Sequence, residues 1–238
     1  MCSLGISIFL MEGRFLISPV RLKFAKQDSE ATFSVKVRNL AFVKDVAVHY
    51  TTDHITWKNQ PLAWVAPTFE TYDLFSGTIN EQIRQFVIRY AVNGRTFYDN
   101  NSGRNYSFEG DSATVGGNVA LYQATAGQDA KTGTLWLEGN ILVNNVDPPK
   151  EVGIVMTADG GATWTTTQAQ LAGLTSDGKS VAPAEVWSFK TPESGQNPAS
   201  NRFVFAVFYR DLEAATEYWD NNFGQNYQIS KTNGALLS

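Results

Sequence analysis

The chain has little of what catalytic and metal chemistry usually needs. Its 238 residues include one cysteine, two histidines and three methionines. A lone Cys2 excludes an internal disulfide and leaves the redox compartment open. His49 and His54 together with that cysteine cannot assemble a transition-metal site without many carboxylates, and His49 reads as ordinary strand filling. A nucleophilic triad would have to use one of those two histidines, with no Gly-x-Ser-x-Gly elbow anywhere. The 19 Lys and Arg residues form no basic cluster and the formal net charge is −4, which argues against nucleic acid or an anionic membrane as partner. No apolar run reaches the ~18 residues of a membrane span. The nearest, Leu4 to Met11, lacks the positive residues that precede a secretion signal, so the first dozen residues are expected to be a loose tail, with Met11 an alternative start and the cytoplasm the expected location.

What the chain does have is a repeat. Tyr98 to Tyr106, YDNNSGRNY, returns 121 positions later as Trp219 to Tyr227, WDNNFGQNY. Each copy sets an aromatic ring beside an acid and two amides. Such a group suits a sugar ring, whose apolar C–H face stacks on the aromatic while its hydroxyls meet donors and acceptors. The repeat extends upstream: Val46 to Trp57, VAVHYTTDHITW, answers to Val152 to Trp164, VGIVMTADGGATW, pairing Asp53 with Asp159 and Trp57 with Trp164. Arg84 to Val92 matches Arg202 to Val207, which aligns Phe86 with Phe203. Units of about 100 residues are tandem domains rather than solenoid turns. An apolar fraction of 43% supplies material for two cores.

The local pattern is strand almost throughout. Thr32 to Val37, Val46 to Tyr50 and Phe86 to Val92 alternate apolar with polar or small residues and are rich in Val, Phe, Tyr, Thr and Ile. Asn93-Gly94 predicts a two-residue hairpin turn. Turn signals every 8 to 12 residues predict an all-β chain of two tandem immunoglobulin-like antiparallel β-sandwich domains. The expected modules are 14–109 and 118–231, joined by a small, polar linker at 110–117. A flexible linker of that size has an end-to-end distance of ~15 to 18 Å, so one long ligand is expected to reach both modules.

Read whole, the first unit resembles carbohydrate-binding module family 21, the starch- and glycogen-binding domain. The resemblance rests on Val35-Lys-Val-Arg-Asn-Leu-Ala-Phe42-Val-Lys44, on Tyr50-Thr-Thr-Asp53 followed by Trp57, and on Phe86 to Gly94 running into Tyr98-Asp-Asn-Asn101. The second unit keeps the Asp159/Trp164 segment and the WDNN end, but lacks the Asn-Leu-Ala-Phe-x-Lys pattern. The resemblance implies non-catalytic binding of α-1,4-glucan with no cofactor. It implies one sugar site from Trp57 with Tyr98, another from Trp164 with Trp219, and a second site in the first unit from Asn39, Phe42 and Lys44. A further aromatic often follows the phenylalanine matching Phe86 or Phe203; Val87 and Val204 stand there, which implies platforms of two rings.

Each candidate also has a plainer reading. Asp99 and Asp220 can bond their own backbone in turns, and that reading is favoured for these two acids. The carboxamides of Asn100, Asn101, Asn221 and Asn222 can in addition match sugar hydroxyls. Lys44 reads as a solvated surface charge more readily than as a ligand contact. The Asp-Asn-Asn segments are similar to a calcium loop but lack its remaining oxygen ligands and terminal glutamate. A glycosidase needs two carboxylates across a cleft, and both units are consumed by the sandwich pattern. The rival function is an adaptor whose sandwiches bind another protein, as in phosphatase-targeting subunits that contain this module; their short basic-Val-x-Phe docking motif is absent from this sequence.

Overall fold

The computed structural model describes residues 18–67, 71–108, 110–128, 131–132, 134–144, 149–174, 184–192, 202–222, 225–230 and 235–237. The expected N-terminal tail lies outside the described residues. Every regular element among the described residues is a strand. The first ten are β1 (Val20–Gln27), β2 (Ala31–Arg38), β3 (Asp45–Thr51), β4 (Trp57–Pro61), β5 (Ala63–Pro67), β6 (Tyr72–Ile79), β7 (Gln85–Val92), β8 (Arg95–Asp99), β9 (Tyr106–Ser107) and β10 (Ser112–Val115). The next ten are β11 (Val119–Gln128), β12 (Leu135–Asn144), β13 (Lys150–Thr157), β14 (Thr165–Gln168), β15 (Gln170–Leu174), β16 (Ala184–Lys190), β17 (Arg202–Asp211), β18 (Thr216–Asp220), β19 (Tyr227–Ser230) and β20 (Ala235–Leu237).

One sheet of the first sandwich runs β10-β1-β2-β6-β5 and the other β4-β3-β7-β8, with β9 also on β7. The second sandwich has the same order ten strands later: β20-β11-β12-β16-β15 and β14-β13-β17-β18, with β19 on β17. The chain is therefore two tandem antiparallel β-sandwiches. Period-two alternation builds each core, because successive side chains leave a strand on opposite faces. Val46, Val48 and Tyr50 of β3 and Phe86, Ile88, Tyr90 and Val92 of β7 meet Phe33, Val35 and Val37 of β2 in one buried cluster. Val152, Ile154 and Met156 of β13 and Phe203, Phe205, Val207 and Tyr209 of β17 meet Leu137, Ile141 and Val143 of β12 in the other. The expected hairpin at Asn93-Gly94 is present, with both residues at positive φ and Val92 opposite Arg95.

Strand pairing corrects the internal alignment. Phe86 lies opposite Tyr106 and Phe205 opposite Tyr227, so Phe86 corresponds to Phe205, not Phe203. The second repeat is two residues longer at the β17–β18 turn, where Asp211 faces Thr216 while Val92 faces Arg95. That turn, and not the strand, carries the length difference.

The expected linker is also corrected. Ser112–Val115 forms β10 and pairs with β1 from Phe24↔Val115 to Gln27↔Ser112. Ser-Ala-Thr-Val alternates with period two, and its Ala113 and Val115 are buried. Only Gly116, Gly117 and Asn118 separate β10 from β11. Gly116 is required there, because a Cβ would overlap the Leu22 carbonyl oxygen.

The sandwiches are packed together. Phe24, Ala113 and Val115 of the first cluster with Ala120, Leu142 and Ala184 of the second, and Tyr122 and Val186 border the cluster. The Phe24 and Tyr122 rings meet edge to face at 5.5 Å and 87°. Both modules carry a bulge at the same place, between Leu22 and Phe24 in β1 and between Leu121 and Gln123 in β11. The two bulged residues, Lys23 and Tyr122, both face the other module: Lys23 donates to Tyr227 Oη at 2.6 Å, and Lys26 lies over the Tyr122 ring at 5.3 Å. Bulges re-aim side chains in this way.

Phe24→Ala tests this packing, because Phe24 contributes to the junction cluster and not to the core of its own sandwich. Truncating a buried Phe typically costs ~3 to 5 kcal/mol. Urea unfolding should show a loss of that order, and a loss below ~1 kcal/mol would contradict the packed arrangement.

Candidate functional site

The outer face of the β4-β3-β7-β8 sheet carries the first aromatic group. Because Val48 and Tyr50 point into the core, His49 between them points out, and Val87 faces it from β7. Trp57 opens β4 opposite Thr51, and Tyr98 on β8 lies opposite Arg89. The Trp57 ring stacks on the His49 ring at 4.9 Å and 18°. His49 Nδ1 lies 2.9 Å from Asn59 Oδ1, which fixes the imidazole plane. Tyr98 remains 52% exposed. Trp57, His49, Val87, Tyr98, Asn100 and Asn105 line an open cavity of about 310 Å³. Trp57, Tyr98 and Asn100 are thus brought together as the sequence predicts. His49 and Asn105 add to them, and the reading of His49 as mere filling is corrected: it is the outward strand residue that carries Trp57.

The turn before each tryptophan is built on an aspartate. Asp53 Oδ1 accepts from the backbone N–H groups of Thr56 and Ile55 at 2.7 and 2.8 Å and from Thr51 Oγ1 at 2.9 Å. Asp159 accepts from Thr163 Oγ1 at 2.6 Å, Thr163 N at 3.0 Å and Thr157 Oγ1 at 2.7 Å. These donors hold both carboxyls well below the usual carboxylate range, the Thr56 N–H leading at Asp53 and the Thr163 hydroxyl at Asp159.

The Asp-Asn-Asn segments divide their work. Asp99 Oδ2 accepts from the Leu22 N–H at 2.7 Å, and its carboxylate accepts from Tyr106 Oη at 3.1 and 3.0 Å. Asp220 Oδ2 accepts from the Leu121 N–H at 2.8 Å and from Tyr227 Oη at 2.7 Å. The two aspartates are candidate sugar contacts with a favoured turn reading, and the turn bonds are present: each Oδ1 accepts from the N–H of Asn101 or Asn222 at 3.4 Å, while each Oδ2 faces the first strand of the opposite sheet. The reason is local: β10 and β20 pair with β1 and β11 only beyond the bulges, so Leu22 and Leu121 need another acceptor. Asn101 and Asn222 sit at positive φ and donate through Nδ2 to the Asn105 and Asn226 carbonyls at 3.1 and 3.3 Å. Those two amides close the loop and are corrected to that role. Asn100 and Asn221 are the members that line cavities.

The second module differs in detail. Trp164 and Trp219 are 47% and 43% exposed on the corresponding sheet. Val155 faces Ala206 where His49 faces Val87 in the first module, so the position of the His49 ring is taken by an aliphatic side chain. The position first matched to Val87, Val204, faces Thr157 instead. Trp219 is supported from below by Phe208 at 5.5 Å and 51°.

The third group lies at the loop after β2. Phe42 is 99% exposed, and Trp64 on β5 is 56% exposed beside it. Together with Asn39, Lys44, Pro67 and Phe75 they line a cavity of about 780 Å³. Sequence reasoning missed Trp64, although a tryptophan in the short run Pro61-Leu-Ala-Trp-Val-Ala-Pro67 carried the signal of an edge strand. The Lys44 reading is corrected: its Nζ lies 2.6 Å from Asp73 Oδ2, and both side chains are buried. Lys44 is a tether under this loop.

The profile of the family "Carbohydrate/starch-binding module (family 21)" matches residues 17–109 and again 115–230. The chain belongs to that family. Among its relatives, Glucoamylase 1 of Rhizopus oryzae is 37% identical over 94 residues, which cover 36% of this chain and 15% of that protein. Protein phosphatase 1 regulatory subunit 3B of Homo sapiens is 37% identical over 92 residues, 34% of this chain and 32% of that one. The chain thus spans less than a third of either relative's length. A solved structure of the starch-binding domain of Rhizopus oryzae glucoamylase in complex with β-cyclodextrin and maltoheptaose is similar at 27% identity and a TM-score of 0.35, covering 45% of this chain and 99% of that one. The first match contains β1 to β9 and the second β11 to β19.

The aspartate roles separate by charge. Asp220→Ala removes the acceptor of Leu121 and Tyr227 and the partner of a buried Lys23, whose Nζ lies 3.5 Å from Asp220 Oδ2. Stranding a buried charge costs ~3 to 5 kcal/mol. Asp99→Ala removes an acceptor with no buried cation beside it, and should cost ~1 to 3 kcal/mol. Denaturant titrations should rank the two in that order; weakened sugar binding at unchanged stability would restore the aspartates as ligand contacts.

Proposed function

We propose that this protein is a non-catalytic binder of α-1,4-glucan, such as starch, glycogen or maltooligosaccharides, with one aromatic platform on the outer sheet of each module and a third at Phe42–Trp64. The observation that carries the reading is the Trp57–His49 stack facing Tyr98 and Asn100 across an open cavity, in a chain of the starch-binding family. The rings offer flat apolar surface to the C–H faces of successive glucose units, and the carboxamide meets hydroxyls at their rim. Binding takes place at exposed rings, so the ligand gains contact without the protein reorganising.

The Trp57/Tyr98 and Trp164/Trp219 platforms lie on the sheets that do not contribute to the apolar junction cluster. Their relative placement is set by packing at Phe24 and Tyr122 and not by a tether. A polymer that contacts both gains from effective concentration, and one too short to span them binds each platform separately.

Trp57→Ala and Trp164→Ala test the assignment. Each should weaken retention on insoluble starch by roughly 5- to 30-fold, the ~1 to 2 kcal/mol of a hot-spot ring. Soluble maltoheptaose should release the protein and cellohexaose should not. Melting temperatures should hardly move. A stability loss of the ~3 to 5 kcal/mol seen for a buried Trp would place that ring in the core and remove it from the site. Starch retention that maltoheptaose does not compete would favour the adaptor reading.

A further inference from the structure

The solvent-facing side of the β13-β17-β18 sheet holds a fully buried phenylalanine. Val207 and Tyr209 point into the core of the second sandwich, so Phe208 between them points out, yet none of its surface is exposed. Gly153 stands opposite it on β13 and Trp219 opposite it on β18. The missing side chain of Gly153 leaves room for the ring, since a Cβ there would come within 3.0 Å of Phe208 Cζ. Trp219 covers the ring from the edge strand, tilted at 51°. The Arg210 guanidinium covers it from along β17, 4.4 Å from the ring centroid. Arg210 is held in turn by Glu151 at 2.9 Å and by Glu217 at 2.7 Å.

The first sandwich is built differently at the same positions. Ala47, Arg89 and Tyr98 occupy the row of Gly153, Phe208 and Trp219. There the guanidinium beside the edge ring is paired with Asp45 at 2.6 Å, and aromatic support goes to the other ring, where His49 carries Trp57. In the second sandwich Val155 takes the place of His49. Support has therefore passed from the turn ring to the strand ring. Core packing does not account for Phe208, which belongs neither to the core cluster of its sandwich nor to the junction cluster. Lifting Trp219 off the sheet would expose apolar Phe208 surface, so burial of one ring fixes the plane of the other.

We infer that Phe208 is the positioning residue of the second glucan platform. It orders Trp219 before ligand arrives, and a glucose unit stacks on a ring that has no rotamer freedom left to lose. Arg210, tied to two carboxylates, keeps the Phe208 ring from turning. Each module thus anchors one of its two rings by a supporting ring, Trp57 in the first and Trp219 in the second. The inference rests on the α-glucan reading and adds to it a residue that acts through Trp219 without touching sugar.

The test is a titration of the intact protein with maltoheptaose, in which the tryptophan indole N–H resonances report an affinity for each platform. Phe208→Ala should weaken the affinity reported by Trp219 and Trp164 by about 2- to 12-fold, the cost of ordering a released side chain, while Trp57 reports the wild-type value. Phe208→Leu keeps apolar bulk without the flat ring face, and covers the case in which the alanine variant does not fold; it should weaken the same two signals and spare Trp57. A phenylalanine with a merely structural role would lower stability and leave these affinities unchanged. Wild-type affinity at Trp219 in either folded variant overturns the inference, as does an equal loss at Trp57. A wild-type protein in which maltoheptaose moves none of the signals of Trp57, Trp64, Trp164 and Trp219 overturns the α-glucan reading itself, which is a distinguishable result.

Discussion

The carboxylate at the end of β8 and of β18 is the interaction on which both modules depend. In each, one aspartate joins the edge strand that carries the aromatic ring to the first strand of the opposite sheet, by accepting the backbone N–H of Leu22 or of Leu121. The tyrosine seven residues later closes the same carboxylate from inside the core. Because side chains alternate along a strand, an aspartate held inward obliges its neighbours to face out. Tyr98 and Asn100 flank one inward carboxylate, and Trp219 and Asn221 flank the other. The exposed ring-and-amide surface is therefore a consequence of a part-buried structural contact.

The same carboxylate in the second module also reaches the junction. Lys23 is bulged out of β1 and meets Asp220 and Tyr227, so the acid that sets the Trp219 platform is also the counter-ion of the neighbouring module. A bulge at the equivalent place in β11 gives Tyr122 the reciprocal role against Phe24. One irregularity, repeated by duplication, thus became two different contacts across one boundary. The modules share an apolar cluster in place of a loose connection, and the groove beside Trp219 exists because of it.

Much of this was legible in the sequence. Alternation in VAVHY and FVIRYAV identified the strands and their inward faces, and the WDNN repeat located the edge strands. Trp57, Tyr98, Asn100, Trp164, Trp219 and Asn221, which the sequence singles out as aromatics in polar turns or beside amides, stand exposed or line cavities. The failures have physical causes. Asp99 and Asp220 have partners 77 and 99 residues away, which no local pattern encodes. Ser112–Val115 reads as linker because small polar residues mark flexible segments, and its partner β1 lies at the other end of the module. Lys44 looked solvated because Asp73, its buried counter-ion, belongs to a different strand. Trp64 and His49 were passed over because an isolated ring in a strand is more often core than surface.

The account's central claim is that exposed rings, fixed by inward aspartates, bind α-glucan. Six tryptophans make it directly measurable through their indole N–H resonances. Titration of the intact protein with maltoheptaose should shift the signals of Trp57, Trp64, Trp164 and Trp219, while Trp187, whose Nε1–H donates to Glu185 at 2.8 Å, stays in place. Shifts confined to Trp187 and Trp136, with the four platform signals unmoved, would contradict it.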